Sequence, residues 1–133
     1  MQPRLLLIGL AVWTAATLAL RLAGPSTLQP GNWTRTLLLF IISFAATAWF
    51  VRRLCLRFKL RREDWTGGAV SVLLPTLLLD PFSSAFFPQV FPNLAPEAAG
   101  LFGGWMLISC AGALIGVTIR SGSNDPTPES PNR

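Results

Sequence analysis

The sequence predicts an all-α integral membrane protein: a bundle of four transmembrane helices with a kinked third helix and a disordered C-terminal tail. Three observations predict it. Hydrophobic residues make up 51% of the 133 residues and charged residues only 13%, with a mean hydropathy of +0.49, whereas soluble domains carry about 25% charged residues. The apolar residues gather into four runs, each near the ~20 residues that span ~30 Å of hydrocarbon. The basic residues fall between the runs, as charges that set membrane topology do.

The first run, residues 5–20, follows Met1-Gln2-Pro3-Arg4 and continues to Ala23, predicting a helix over about 5–23. A signal peptide begins the same way, but residues 19–24 contain Arg21 and lack a clean A-x-A, so a retained helix is expected. Gly24-Pro25-Ser26 and Pro30-Gly31-Asn32 then break the chain into a loop. The second helix is predicted over about 34–54. Its interior, 37–50, carries no charge, and Trp33 and Arg52-Arg53 serve as interfacial anchors at its two ends. Arg53, Arg57 and Arg61 recur every four residues beside Leu54 and Phe58, which reads as an amphipathic continuation along the membrane surface. A short extended segment is the alternative.

The third helix, 65–87, begins after Glu63-Asp64, where acidic side chains meet the positive end of the helix dipole. Pro75 and Pro81 should kink it, because each removes a backbone donor and crowds the preceding turn. Pro88, Pro92 and Pro96 punctuate the loop that follows. Pro96-Glu97 suits a first helical turn, and 98–119 carries no charge, giving a fourth helix over 96–119. The transmembrane domain is therefore 1–120. Residues 121–133 are rich in Ser, Pro and Asn without an apolar anchor, and are expected to be a disordered tail.

Arg52, Arg53, Arg57, Lys59, Arg61 and Arg62 lie between the second and third runs, and Arg4 and Arg120 fall on the same side of a four-span chain. Only Arg21 and Arg35 fall on the other side. The excess of Lys and Arg predicts that both termini are cytoplasmic. The same clustering argues against nucleic acid as a partner, despite a net charge of +5 and a pI of about 11.1.

The chain has no histidine, which removes His-based acid–base catalysis, Ser-His-Asp triads and histidine ligation of metals or haem. Cys55 and Cys110 have no metal or pairing spacing and read as free thiols that pack as small apolar groups. No phosphate loop, paired carboxylates or nucleophile–base set is visible. Ser83 and Ser84 lie near Asp80, but no base completes a catalytic set. The expectation is a protein that is not an enzyme and takes no cofactor or metal.

Asp80 is the most informative side chain. It lies 13 residues past Gly67, which at ~1.5 Å per residue is roughly 20 Å into the membrane. Acids at that depth are functional candidates by default. Arg21 lies ~24 Å from Leu5 by the same reckoning and can reach back along its helix, so an Arg21–Asp80 pair is geometrically reasonable and the two are the candidate polar pair. The structural reading is that Asp80 begins a turn or caps the segment after Pro81. In the last helix, Gly100-x-x-x-Gly104 and Gly112-x-x-x-Gly116 allow helices to approach closely, within the bundle or between copies. Phe82, Phe86, Phe87 and Phe91 line a pocket for a lipid or quinone, or else seal the bundle. Trp13 and Trp105 read as core packing.

The stretch Leu73-Leu74-Pro75, Asp80-Pro81-Phe82, Phe86-Phe87-Pro88, Val90-Phe91-Pro92-Asn93 and Ala99-Gly100-Leu101-Phe102-Gly103-Gly104 resembles a family of small prokaryotic four-helix membrane proteins known only as a domain of unknown function. The carrying motif is an intramembrane acid, then Phe-Phe, then Val-Phe-Pro-Asn, then Phe-Gly. The resemblance implies a four-span bacterial fold and supplies no activity. The leading expectation is thus a bacterial inner-membrane protein that serves as a structural or partner-binding component, meeting the lipid bilayer and either a second copy or another membrane protein. A small transporter or channel using Asp80 and Arg21 is one alternative, and a lipid- or quinone-binding protein is another.

Overall fold

In the computed structural model, residues 2–119 are described, and all their regular structure is helical. The helices are α1 (Pro3–Thr27), α2 (Trp33–Arg57), α3 (Trp65–Ala85), the single turn α4 (Phe87–Val90) and α5 (Ala99–Thr118), with 3-10 turns at Arg62–Asp64 and Pro96–Ala98. Four of them, each with its flanking turn, are long and apolar enough to cross a membrane: Pro3–Thr27, Trp33–Arg57, Arg62–Ala85 and Pro96–Thr118. The protein is an all-α membrane bundle. Arg120 and the tail at 121–133 lie outside the described residues.

Helix boundaries differ from the sequence expectation for local reasons. α1 runs through Pro25 to Thr27, since the proline removes a single N–H donor and little helix follows it to be bent. The Leu28 N–H then closes the helix on the Gly24 carbonyl at 2.8 Å. α2 is capped by Asn32, whose side chain accepts from the Arg35 N–H at 3.1 Å. The amphipathic continuation expected through Arg61 stops at Arg57. There the Leu60 N–H reaches the Cys55 carbonyl at 3.0 Å and the Lys59 N–H reaches the Leu56 carbonyl at 3.0 Å, the paired bonds of a Schellman cap.

That cap places Lys59 at φ 51°, a left-handed conformation that glycine adopts at least cost. Lys59→Gly should therefore raise resistance to thermal unfolding in detergent, by roughly 1 kcal/mol from relief of the Cβ–backbone conflict. An unchanged or lower midpoint would show that the lysine side chain contributes more than the turn costs.

α3 retains Pro75 and Pro81 inside a continuous helix and ends at Ala85, after which Phe86 to Phe91 make one further turn on a new axis. The expected third helix to Phe87 is thus divided between α3 and α4, and the fourth opens as a 3-10 turn before α5.

The packing follows alternate spans. α2 lies against α5, and α1 against α3, with α3 also meeting α5. Gly112 approaches Phe44 and Gly116 approaches Ala48, so residue numbers rise together along α2 and α5 and the two helices are parallel. Gly9 beside Val72 and Trp13 beside Asp80 show the same for α1 and α3. This is the pairing that four successive crossings require.

Two apolar clusters hold the ends. One, beside the basic loop, is built on Leu5, Val51, Cys55, Trp65, Ala69 and Ala113. The other, at the opposite end, is built on Leu20, Leu28, Phe87, Phe91, Leu94 and Phe102. Between them lies the belt that carries Asp80.

Candidate functional site

The belt starts from an apolar helix that carries one indole. Trp13 sits in the middle of α1, half-buried in an apolar span, and an indole N–H withdrawn from water needs an acceptor. It donates to Asp80 Oδ1 at 2.9 Å. Asp80 lies on α3 one residue before Pro81 and is half-buried. Pro81 supplies no N–H, so the Leu77 carbonyl one turn back lacks its helical donor. A carboxylate, a carbonyl short of a partner and the Ser84 hydroxyl therefore occupy one stretch of α3.

A groove of about 240 Å³ runs between α3 and α5 at this level, lined by Leu77, Asp80, Pro81 and Ser84 on one side and Gly103, Met106, Leu107 and Cys110 on the other. Behind it, a largely apolar cavity of about 160 Å³ lies among all four spans. Trp13, Thr47, Thr76, Trp105 and Ser109 line that cavity, and Met106 and Cys110 line both spaces. Trp105 donates its indole N–H to the Ser43 hydroxyl, and the Ser109 hydroxyl donates to the Trp105 carbonyl at 2.8 Å. Asp80 and its Trp13 partner thus stand at the junction of the two spaces.

The candidate partner of Asp80 is not the observed one. Among the described residues no ion pair joins Arg21 to Asp80, and the exposed Arg21 lies two turns beyond Trp13 on α1, ~12 Å along the axis. Depth counted from the start of each run ignores the register between helices, and that register brings Trp13, not Arg21, to Asp80. The sequence signal for Trp13 was available: an indole in mid-span has an N–H to satisfy.

The glycines divide. A Cβ on Gly112 would lie 2.4 Å from the Phe44 carbonyl oxygen and one on Gly116 2.6 Å from the Ala48 carbonyl oxygen, so both are used where α5 meets α2. Gly104 faces the Phe40 ring, whereas Gly100 and Gly103 meet nothing within 4 Å. Gly9 was missed by the spacing argument. A Cβ there would lie 2.0 Å from the Val72 carbonyl oxygen, the tightest approach of the bundle. An isolated glycine within an apolar helical run was its only trace.

The four phenylalanines divide as well. Phe87 and Phe91 are buried and form a triangle with Phe102, with ring centroids 5.1–5.8 Å apart and tilted planes, the geometry aromatic quadrupoles favour. Phe82 and Phe86 point outward, 65% and 57% exposed, and neither the groove nor the central cavity is lined by any of the four. Asn93 ties this cap to α1, its side-chain amide donating to the Leu20 carbonyl at 2.9 Å. The motif residues of the resemblance therefore mostly build the end of the bundle opposite the basic loop.

At the basic end, Trp65 is buried and donates its N–H to the Leu60 carbonyl at 3.1 Å. The Arg62 guanidinium lies 3.9 Å from its ring centroid and that of Arg52 6.0 Å, while Arg53 lies 5.2 Å from the Trp49 ring. These are cation–π distances. Arg61 pairs with Glu63 at 2.7 Å on the surface, and Arg57 and Lys59 are exposed.

The model of a family of unknown function (DUF5367) matches residues 28–124, more than half of the chain and a span that includes α2 to α5. No curated protein and no solved structure matches.

Proposed function

The chain belongs to the family of unknown function DUF5367, and from its polar belt and charge placement we propose that it is a small transporter of the bacterial inner membrane that handles a cation at Asp80. It is non-enzymatic, and both termini lie in the cytoplasm, the side toward which the basic loop between α2 and α3 points. The observation that supports this reading is a carboxylate inside the third span, held by one indole N–H and engaged by no ion pair among the described residues. A charge at that depth is expensive unless it meets a proton, a cation or a cavity, and Asp80 borders a groove on one side and a cavity beyond.

The test is proton and cation flux into proteoliposomes. Asp80→Asn keeps the shape and can still accept from Trp13, but loses the charge. It is expected to lower flux about tenfold or more, since one lost charge contact of ~1.4 kcal/mol already gives that factor. Equal flux for both proteins, or none for either, would end this reading.

A second reading, a partner-binding component, is favoured by the bare strip at Gly100 and Gly103. The other glycines of α5, Gly104, Gly112 and Gly116, meet α2 within the chain, and these two are left open for another helix. Blue-native electrophoresis of membranes separates the two: a strictly monomeric, partner-free protein counts against the second.

A further inference from the structure

The groove at Asp80 has the features of a site for one chemical class. Its rims are formed by Leu77 and Leu107, 48% and 69% exposed on the face that meets acyl chains. Access is therefore sideways, from the bilayer between α3 and α5. Its volume of about 240 Å³ equals roughly eight waters at ~30 Å³ each. Apart from Asp80, Ser84 and the Cys110 thiol, its lining is apolar. Met106 supplies a flexible, polarizable wall suited to irregular shapes. Gly103 lines the groove, and a Cβ there would meet nothing.

A hard metal cation does not suit this lining. Calcium takes six to eight oxygen ligands and magnesium a near-octahedral set. The groove offers one carboxylate and one hydroxyl, and among the described residues no three His, Cys, Asp or Glu side chains converge. A cation whose charge rides on an apolar body answers both features, pairing its charge with Asp80 and covering Leu77, Met106 and Leu107 with its frame.

Resting on the reading that Asp80 is the working residue, we infer that the groove between α3 and α5 binds a lipophilic organic monocation, an amine or quaternary ammonium on an apolar frame, entering from the bilayer. Asp80 supplies the counter-charge, and Trp13 fixes one carboxylate oxygen so that the other is free for the ligand. Asp80 and Met106 then stand between the bound cation and the central cavity.

The experiment uses the purified full-length protein in detergent, with benzyltrimethylammonium as the probe. Its neutral carbon isostere, neopentylbenzene, is the comparator, and binding is read by calorimetry and tryptophan quenching. Saturable binding of the cation and none of the isostere is expected. Asp80→Asn should raise the Kd about tenfold or more. Gly103→Leu should do the same by filling the groove, without a lower unfolding temperature, because a Cβ there meets nothing within 4 Å and leucine favours the helix more than glycine does.

Equal binding of cation and isostere, or wild-type affinity in Gly103→Leu, would overturn the assignment. If the cation does not bind while Asp80-dependent flux persists in proteoliposomes, the ligand class is wrong and the role of Asp80 stands. If neither occurs, both fall. If Gly103→Leu instead releases a polypeptide that co-purifies with the wild type, the groove holds a partner helix and the small-ligand assignment fails.

Discussion

Gly9→Val should pull α1 away from α3 and destabilise the bundle. The new Cβ would start 2.0 Å from the Val72 carbonyl oxygen, well inside any non-bonded contact. The obstacle is backbone in mid-helix, so it cannot rotate aside as a side chain can. One helix must shift by more than 1 Å, and the shift spreads to the Trp13–Asp80 bond one turn along. Overpacking ordinarily costs about 1–3 kcal/mol, and an immovable neighbour places this case at roughly 3 kcal/mol or above. Unfolding of the purified protein by SDS titration measures it. Gly67→Val is the matched control, since a Cβ at Gly67 meets nothing within 4 Å. Similar midpoints for the two variants would mean that α1 is not seated on Val72.

Phe91→Ala should loosen the opposite end of the bundle. Phe91 is fully buried and touches both Phe87 and Phe102, so its ring joins α4, α5 and the loop that covers Leu20. In water-soluble cores such a truncation costs 3–5 kcal/mol, part of it transfer from water. In a bilayer the separated helices remain in an apolar solvent, and the cavity part dominates. At about 24 cal/mol per Å³ over roughly 100 Å³, that part is ~2 kcal/mol. Phe86→Ala, on the lipid-facing side, should change stability by less than about 0.5 kcal/mol. SDS-titration midpoints for the pair measure the difference, and equal losses would contradict the inward placement of Phe91.

These two substitutions also mark where sequence reading succeeds and stops. Four spans were legible because solvent choice is written in composition: apolar runs of the right length between charges allow little else. Asp80 was legible because a carboxylate inside such a run has no ordinary explanation. Its partner was not, because which turn of α1 faces Asp80 depends on how Gly9 seats that helix, a matter of register that depth counting does not contain. The sequence grouped Phe82, Phe86, Phe87 and Phe91 with equal weight, since a run of aromatic residues does not say which of them turn inward. Likewise, small residues four apart announced that α5 would be approached closely. That Gly112 and Gly116 meet α2 while Gly100 and Gly103 stay bare is decided by where α2 begins and how it tilts.

The closest backbone approaches in this bundle join span one to span three and span two to span four. On the ribosome, this order has a cost in time. The first helix enters the bilayer with its seat not yet synthesised and waits until residues near Val72 have emerged, and the second waits longer still, until Gly112 and Gly116 arrive. A nascent chain halted in the basic loop would therefore hold two inserted helices without their tight-packing partners. Maturation is completed late, by the final helix, which seats the second and closes against the third.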